Sequence, residues 1–216
     1  MALFSKTVLI IGGASTALEI RETAEIINDG TFRLLNVVPN GEKCLYSCIY
    51  DNELNKSIDE SDENYYIIGF LDNTLKMKFE TLMDGLGCHP INVIHPSSYI
   101  AHSAKIGTGN YLAAYACISS EAVVGNHNII NLGATVGHNV ILGNNNALNP
   151  GARISGNTIV GDRCLFGSNS FVNEKLHVCS DTKIDALTYL DQNIDTPSIC
   201  TSNLQFKRYK NRFLFK

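Results

Sequence analysis

"IGTGNYLAAYACISSEAVVGNHNIINLGATVGHNVILG", residues 106–143, decides the fold. A large apolar residue returns at every sixth position: Ile106, Leu112, Ile118, Val124, Ile130, Val136 and Leu142. The phase continues outward, back to Ile100 and Ile94 and on through Leu148, Ile154, Val160, Phe166, Val172, Val178, Ile184 and Leu190, seventeen sites without a break. With roughly a third of positions large and apolar, chance agreement is on the order of one in a hundred million. Two residues before most of these sites stands a small or short residue (Ala116, Ala122, Asn128, Ala134). Just after many of them stands Gly107, Gly125, Gly137, Gly143, Gly161 or Gly167. A period of six fits neither a helix nor simple strand alternation. It fits a short strand that sends one residue into a narrow core, then a corner where glycine or asparagine takes backbone angles that other residues resist, then the next face. Three faces close one coil, and residues 94–190 predict a parallel β-helix of about five to six coils stacked about 4.8 Å apart.

The first ninety residues follow another pattern. "TVLIIGGAS" (7–15) reads as a buried strand running into a glycine turn. Residues 15–29 read as a helix with Ser15 or Thr16 as N-cap and Leu18, Ile20, Ala24 and Ile27 on its apolar stripe. A strand at 32–38, an acidic stretch from Asp51 to Asn64, a strand at 65–70, a helix from about Asn73 to Asp84 and a strand at 91–94 complete the order β-α-β-β-α-β. That alternation predicts a small parallel sheet. A strand, a tight glycine turn and a helix N-terminus aim backbone N–H groups at an anion. The turn "GGAST" is not GxGxxG, and the second strand ends in "VVPN" without an acid for a ribose hydroxyl, which disfavours a dinucleotide.

Composition narrows the class. With 44% hydrophobic residues among 216 and a net charge of −4, the chain is globular and has no overall call for nucleic acid. The charge is uneven, because residues 205–216 hold Lys207, Arg208, Lys210, Arg212 and Lys216 with no acid, leaving 12 basic against 21 acidic residues elsewhere. Such an end either docks through Phe206, Tyr209 and Phe213 with its charges solvated, or meets phosphates. Seven cysteines without a CxxC pair or zinc spacing read as free thiols in a reducing cytoplasm, with no metal site. The apolar run Val8 to Ile11 is too short for a signal or a membrane span, so neither export nor membrane insertion is expected.

The two halves together resemble one family. The sheet-forming half is joined by "VIHPSSYIAHSAKIG" (93–107) to the repeat, which carries the N-x6-H segment Asn131 to His138. This arrangement is similar to the nucleotide-sugar acyltransferases of the PglD and NeuD type, hexapeptide-repeat enzymes, over roughly residues 7–190. The resemblance implies an α/β Rossmann-like N-terminal domain (1–92) that binds a nucleotide sugar. It implies an all-β left-handed parallel β-helix (93–192) that carries the acyltransferase site, followed by a basic C-terminal tail (193–216). The left hand comes from the resemblance, since the general crossover rule favours the right. Also implied are a homotrimer with active sites in the clefts between prisms, acetyl-CoA as acyl donor, a nucleotide-linked amino sugar as acceptor, and a place in surface glycan biosynthesis.

The residues themselves converge on one centre. His138 lies two residues after the inward Val136, at a corner, so its ring projects outward where a neighbouring chain would wall a cleft. Its column at eighteen-residue steps reads His102, Ser120, His138, Gly156 and Glu174, and Gly156 leaves room for a thin ligand beside the ring. The resemblance makes His138 the general base with Asn139 and Asn131 in its site. It assigns Gly156, Gly167 and Ser168 to the cofactor, and Gly12, Gly13, Ser15, Asp72 and Asn73 to the nucleotide sugar. An amine or hydroxyl must lose a proton while it attacks a thioester, and imidazole titrates near neutral pH. A positioned base contributes about 10²–10⁴-fold, and an N–H donor to the oxyanion a comparable factor. His95, His102 and His127 read as structural or rim residues, and His89 as part of a loop.

This chain departs from the family at several points. Asn139 stands where an acid usually orients the ring, and Ala147 where some relatives carry a second histidine. Ser15, Thr16 and Ala17 replace a glycine-histidine-glycine turn, and Pro39 and Asn40 replace an acidic pair. The basic tail offers a substitute partner for the cofactor's phosphates. One histidine serves an amine or a hydroxyl, so O-acylation of a sugar or another small acceptor stays open, as does a β-helix scaffold that has lost catalysis.

Overall fold

The computed structural model describes residues 6–54, 58 and 63–202. The acidic stretch is therefore described only in part, and the basic residues 205–216 lie outside the described residues.

Five parallel strands form the N-terminal sheet: β1 (Lys6–Ile11), β2 (Arg33–Val38), β3 (Cys48–Tyr50), β4 (Glu63–Ile68) and β5 (His89–Pro90), in the order β3-β2-β1-β4-β5. Side chains alternate across a strand. Val8, Ile10 and Ile67 therefore pack with α1 (Ser15–Ile27), while Leu9, Ile11, Tyr66 and Ile68 pack with α2 (Asn73–Gly85) on the opposite face. The strand order reverses between β1 and β4, and the crevice at their carboxyl ends is where open α/β sheets take ligands.

Three local expectations shift. The sheet closes with His89–Pro90, so His89 is in a strand, and Val93–Ile94 already pairs with Tyr111–Leu112 as part of the repeat. The short strand β3 escapes sequence reading because three residues carry too little pattern. Helix α1 has Ala14 at its N-cap with no side-chain bond, and it buries Thr16, Ala17, Ile20, Thr23 and Ala24 while Ile27 is exposed. Thr23 serves the inner face because its Oγ1 lies 3.3 Å from the buried Tyr111 hydroxyl of the repeat.

From β6 (Val93–Ile94) to β22 (Tyr189–Leu190) the chain lays down seventeen two-residue strands, and each six-spaced apolar residue is the second residue of one of them. Through Phe171–Val172 each strand pairs in parallel with the one eighteen residues on, as Ile118 does with Val136, while Lys183–Ile184 pairs with Ile199–Cys200 sixteen residues on. Three sheets of six, five and seven strands result, the last ending in β23 (Ile199–Cys200). We name the faces in chain order from Tyr99–Ile100, so that the first corner follows the first face. This is the coil architecture implied by the left-handed β-helix resemblance. The inward residues from Leu112 to Leu190 form one continuous core, each worth about 1.5–3 kcal/mol when removed from water.

Corners close differently from the sequence expectation. Gly125 and Gly143, just after inward residues, have ordinary φ, but a Cβ on either would stand 2.7 Å from the carbonyl oxygen of the coil above. Glycine is needed there for close approach. The left-handed backbone falls two residues later, at Gly109, Gly133 and Gly151 and at eleven residues with side chains, among them Glu121, His127, Asn139, Asn157 and Lys175. Inside the prism, Asn110, Asn128 and Asn146 form an amide ladder. Each accepts the N–H of the residue eighteen further on, at 2.8, 2.8 and 2.7 Å.

Helix α2 lies along the second corner. Asn73 Nδ2 donates to the Arg163 carbonyl at 3.0 Å, Lys76 Nζ to the Asn145 and His127 carbonyls at 3.4 Å, and Glu80 meets the His127 ring at 3.5 Å. A helical turn of about 5.4 Å nearly matches a coil spacing of about 4.8 Å, so successive turns meet successive coils.

Candidate active site

His138 is exposed on the first corner, two residues beyond the buried Val136. Its ring lies against the next coil, where a Cβ on Gly156 would stand 2.5 Å from both Cε1 and Nε2. The Asn157 N–H donates to the His138 carbonyl at 2.9 Å and the Asn139 N–H to the Ser120 carbonyl at 3.0 Å, so three coils fix this corner. Behind the ring, Asn139 Nδ2 lies 3.3 Å from His138 Nδ1 and 3.2 Å from Asn157 Oδ1. The Nε2 edge therefore rests on bare backbone while Nδ1 is engaged by an amide. The ring is thus held between Gly156 and Asn139 while the residue as a whole is exposed.

The expected site residues fall in three places within one chain. His138, Asn139 and Gly156 share the first corner. Asn131, Gly167 and Ser168 sit on the third, Asn131 being nearly buried with its Oδ1 accepting the Leu132 N–H at 2.7 Å. Gly12, Gly13, Ser15, Asp72 and Asn73 lie at the carboxyl ends of β1 and β4. Gly12 has φ 129°, which suits glycine, and a Cβ on Gly13 would stand 2.7 Å from the Lys43 carbonyl. Ser15 is exposed. Asp72 caps α2 by accepting the Leu75 N–H at 2.9 Å. Asp72, Asn73, Leu71 and Thr74 border a cleft of about 500 Å³ whose other wall is Asn149, Arg163, Leu165, Asp181 and Lys183 of the prism. Arg163 in that wall donates two hydrogen bonds, from Nε and Nη2, to the Asp181 carboxylate, both at 2.8 Å.

Two groups escaped the sequence reading. Asn157 is one; it stands eighteen residues after Asn139, a spacing already in use for Gly156. The other is the polar cluster where α2 meets the second corner. There His127 is buried and stacked on Tyr66 with ring centres 5.8 Å apart, and the Tyr66 hydroxyl donates to Asp84 at 3.0 Å. Burial pushes the His127 imidazole below its usual range, with Glu80 opposing, and pushes the Lys76 ammonium down to about 7. His127 is structural, as its placement in the sequence suggests. Among the described residues no group of histidine, cysteine, aspartate and glutamate could hold a metal ion, and all seven cysteines are free thiols. No helix among the described residues is long and apolar enough to cross a membrane.

Comparison with known proteins bears on the architecture. No protein-family model matches the chain, and no curated protein matches its sequence. Among solved structures, it is similar to the perosamine N-acetyltransferase of Caulobacter crescentus, solved with CoA and GDP-perosamine and with one histidine replaced by asparagine. The identity is 23%, over 91% of this chain and 93% of that one, with a TM-score of 0.83. The acetyltransferase domain of PglB from Neisseria gonorrhoeae matches at 22% identity over 92% and 97% of the two chains, with a TM-score of 0.82, and is also solved with acetyl coenzyme A. WeeI from Acinetobacter baumannii matches at 16% over 86% and 94%, with a TM-score of 0.65. At these identities the likeness establishes a shared fold across both halves of the chain.

Proposed function

We propose that this chain is an acyl-CoA-dependent N-acyltransferase acting on a nucleotide-linked amino sugar in surface glycan synthesis, with His138 as general base. The observation that carries the reading is an exposed imidazole seated on Gly156 with its Nδ1 occupied from behind. Nε2 takes the proton from the attacking amine as nitrogen bonds to the thioester carbonyl carbon. The carbon–sulfur bond then breaks, and the thiolate leaves with that proton. The Gly156 N–H, which has no partner among the described residues, is available to the developing oxyanion. No acyl-enzyme is needed.

Residues 1–92 fit a Rossmann-like nucleotide-sugar domain. The glycine turn at Gly12, Gly13 and Ser15 and the loop at Asp72 and Asn73 flank the point where the strand order reverses. These residues and the third-corner set Asn131, Gly167 and Ser168 reach His138 only if another copy supplies them. We infer a homotrimer in which the second face is covered: Val123, Ile141 and Ile159 form an outward apolar ladder, 41%, 49% and 47% exposed, beside the His138 corner. Ile141→Glu places a charge in that ladder and is expected to shift the protein to monomers by sedimentation velocity, with loss of turnover. A trimer of unchanged stability would place the contact elsewhere.

The decisive experiment is incubation with acetyl-CoA and a panel of nucleotide-linked amino sugars, following thiol release. Release that depends on the acceptor is expected. No release with any amine acceptor but release with hydroxyl sugars would favour O-acylation. No release with either would favour the scaffold reading, which Asn139 in place of an acid supports.

A further inference from the structure

Asn157 stands behind the histidine as the third member of a chain of groups. Asn139 Nδ2 is 3.3 Å from His138 Nδ1 and 3.2 Å from Asn157 Oδ1, and both asparagines have left-handed backbones, with φ 55° and 58°. That backbone does not by itself select asparagine, because the same column holds Glu121 and Lys175 at φ 58° and 61°. The pairing of the two amides with the ring is what needs explaining.

A carboxamide has one accepting end and one donating end, of nearly the same shape. When Asn139 turns its NH2 to the ring, as it stands in the structure, Nδ1 must accept, so the proton of the neutral ring sits on Nε2 and the outward nitrogen is no base. When Asn139 turns its oxygen to the ring, Nδ1–H donates and the Nε2 lone pair is free. That oxygen then also faces Asn157, which must turn its own NH2 inward to avoid two opposed oxygens. The two amides therefore reverse together. An imidazolium carries N–H at both nitrogens and fits only the second arrangement.

We propose that both amides work reversed from the arrangement seen in the structure and that Asn157 is a positioning residue: by donating to Asn139 Oδ1 it holds Asn139 as the acceptor for His138 Nδ1–H and keeps Nε2 available to the acceptor substrate. In this arrangement two neutral amides do the orienting work of a carboxylate. The role rests on the reading of His138 as the base. The proton that Nε2 takes from the amine passes to the departing thiolate, while Nδ1 keeps its own proton throughout.

The test uses the full chain labelled with 15N on histidine, with tautomers read from long-range 1H–15N correlation at a pH where the ring is neutral, together with steady-state kinetics. The wild-type His138 is expected to be the Nδ1–H tautomer. Asn157→Asp supplies acceptors only, draws the Asn139 NH2 toward itself and so toward Nδ1, and is expected to switch the ring to Nε2–H. Turnover should then fall by about tenfold or more, as wrong-tautomer variants of other general bases do, with KM for acetyl-CoA nearly unchanged. Asn139→Asp accepts from both neighbours and is expected to keep the Nδ1–H form. The same tautomer in wild type and Asn157→Asp, or an Nε2–H wild type, would overturn the proposal. A tautomer switch without any change in turnover would uphold the coupling of the amides and remove His138 as the base.

Discussion

Alanine at position 138 is expected to lower kcat/KM for acyl transfer by about 10²-fold or more while leaving the thermal midpoint nearly unchanged. The two halves of that expectation come from different facts. The ring is exposed and supports no core residue, so stability does not depend on it. It is also the one imidazole on the first corner with both a bare glycine beside Nε2 and an amide behind Nδ1. Gly156→Ala is the sharper companion. The backbone at Gly156 lies outside the left-handed region, so alanine fits the chain, but its Cβ would stand 2.5 Å from Cε1 and Nε2. The ring must swing off the coil, and a loss of about tenfold or more is expected with the fold intact. Thiol-release kinetics and a melting curve on both variants decide the matter. Full activity in His138→Ala would remove the mechanism, and full activity in Gly156→Ala would show that the ring works from another position.

The six-residue rhythm was readable because each coil buries the same position. Seventeen repetitions of one burial event leave a pattern that no single strand of two residues could. The glycines were harder. A sequence shows that Gly125 and Gly143 recur but not why, and the cause turned out to be the carbonyl of the next coil at 2.7 Å from a would-be Cβ, with ordinary φ. Residues with side chains, such as Tyr115 and Leu187, occupy the left-handed positions instead, since every coil is forced through that angle by its neighbours. In the N-terminal half Ile20 and Ala24 of α1 are buried as their spacing predicts, but Thr16 and Thr23, polar by type, are buried with them, Thr23 against the Tyr111 hydroxyl. Within the site, His138, Asn139 and Gly156 could be read as neighbours from eighteen-residue arithmetic, and Asn157 follows from the same arithmetic. The contacts of α2 could not. Lys76 and His127 are 51 residues apart and meet across the two halves of the chain, where neither periodicity reaches.

That junction carries the second large expectation: Lys76→Met should stabilise the protein at neutral pH and remove a pH dependence. Lys76 is fully buried, and its ammonium has only two long bonds, at 3.4 Å, to the His127 and Asn145 carbonyls. Burial lowers its pKa from 10.5 to about 7, with Glu80 only partly opposing. Between those two values the unfolded chain holds the proton and the folded chain has released it, so stability rises with pH across that window. Below about pH 7 both forms are protonated and the penalty is present in full. From pH 7 to about 8.5 the wild type is expected to gain about 1.5 kcal/mol, or roughly 3–6 °C in thermal midpoint for a chain of this size. Above that range the buried Cys164 thiol and the Tyr66 hydroxyl, both raised chiefly by burial, act in the opposite direction and would mask the effect. The methionine variant loses two weak donors but removes the buried cation, a change worth on the order of 3 kcal/mol at pH 7. Melting curves of both proteins at pH 7 and 8.5 test this. Parallel shifts in the two would mean that Lys76 stays charged in the folded state, held by the carbonyls of the second corner and by Glu80, and that α2 is fastened to the prism by an ion rather than in spite of one.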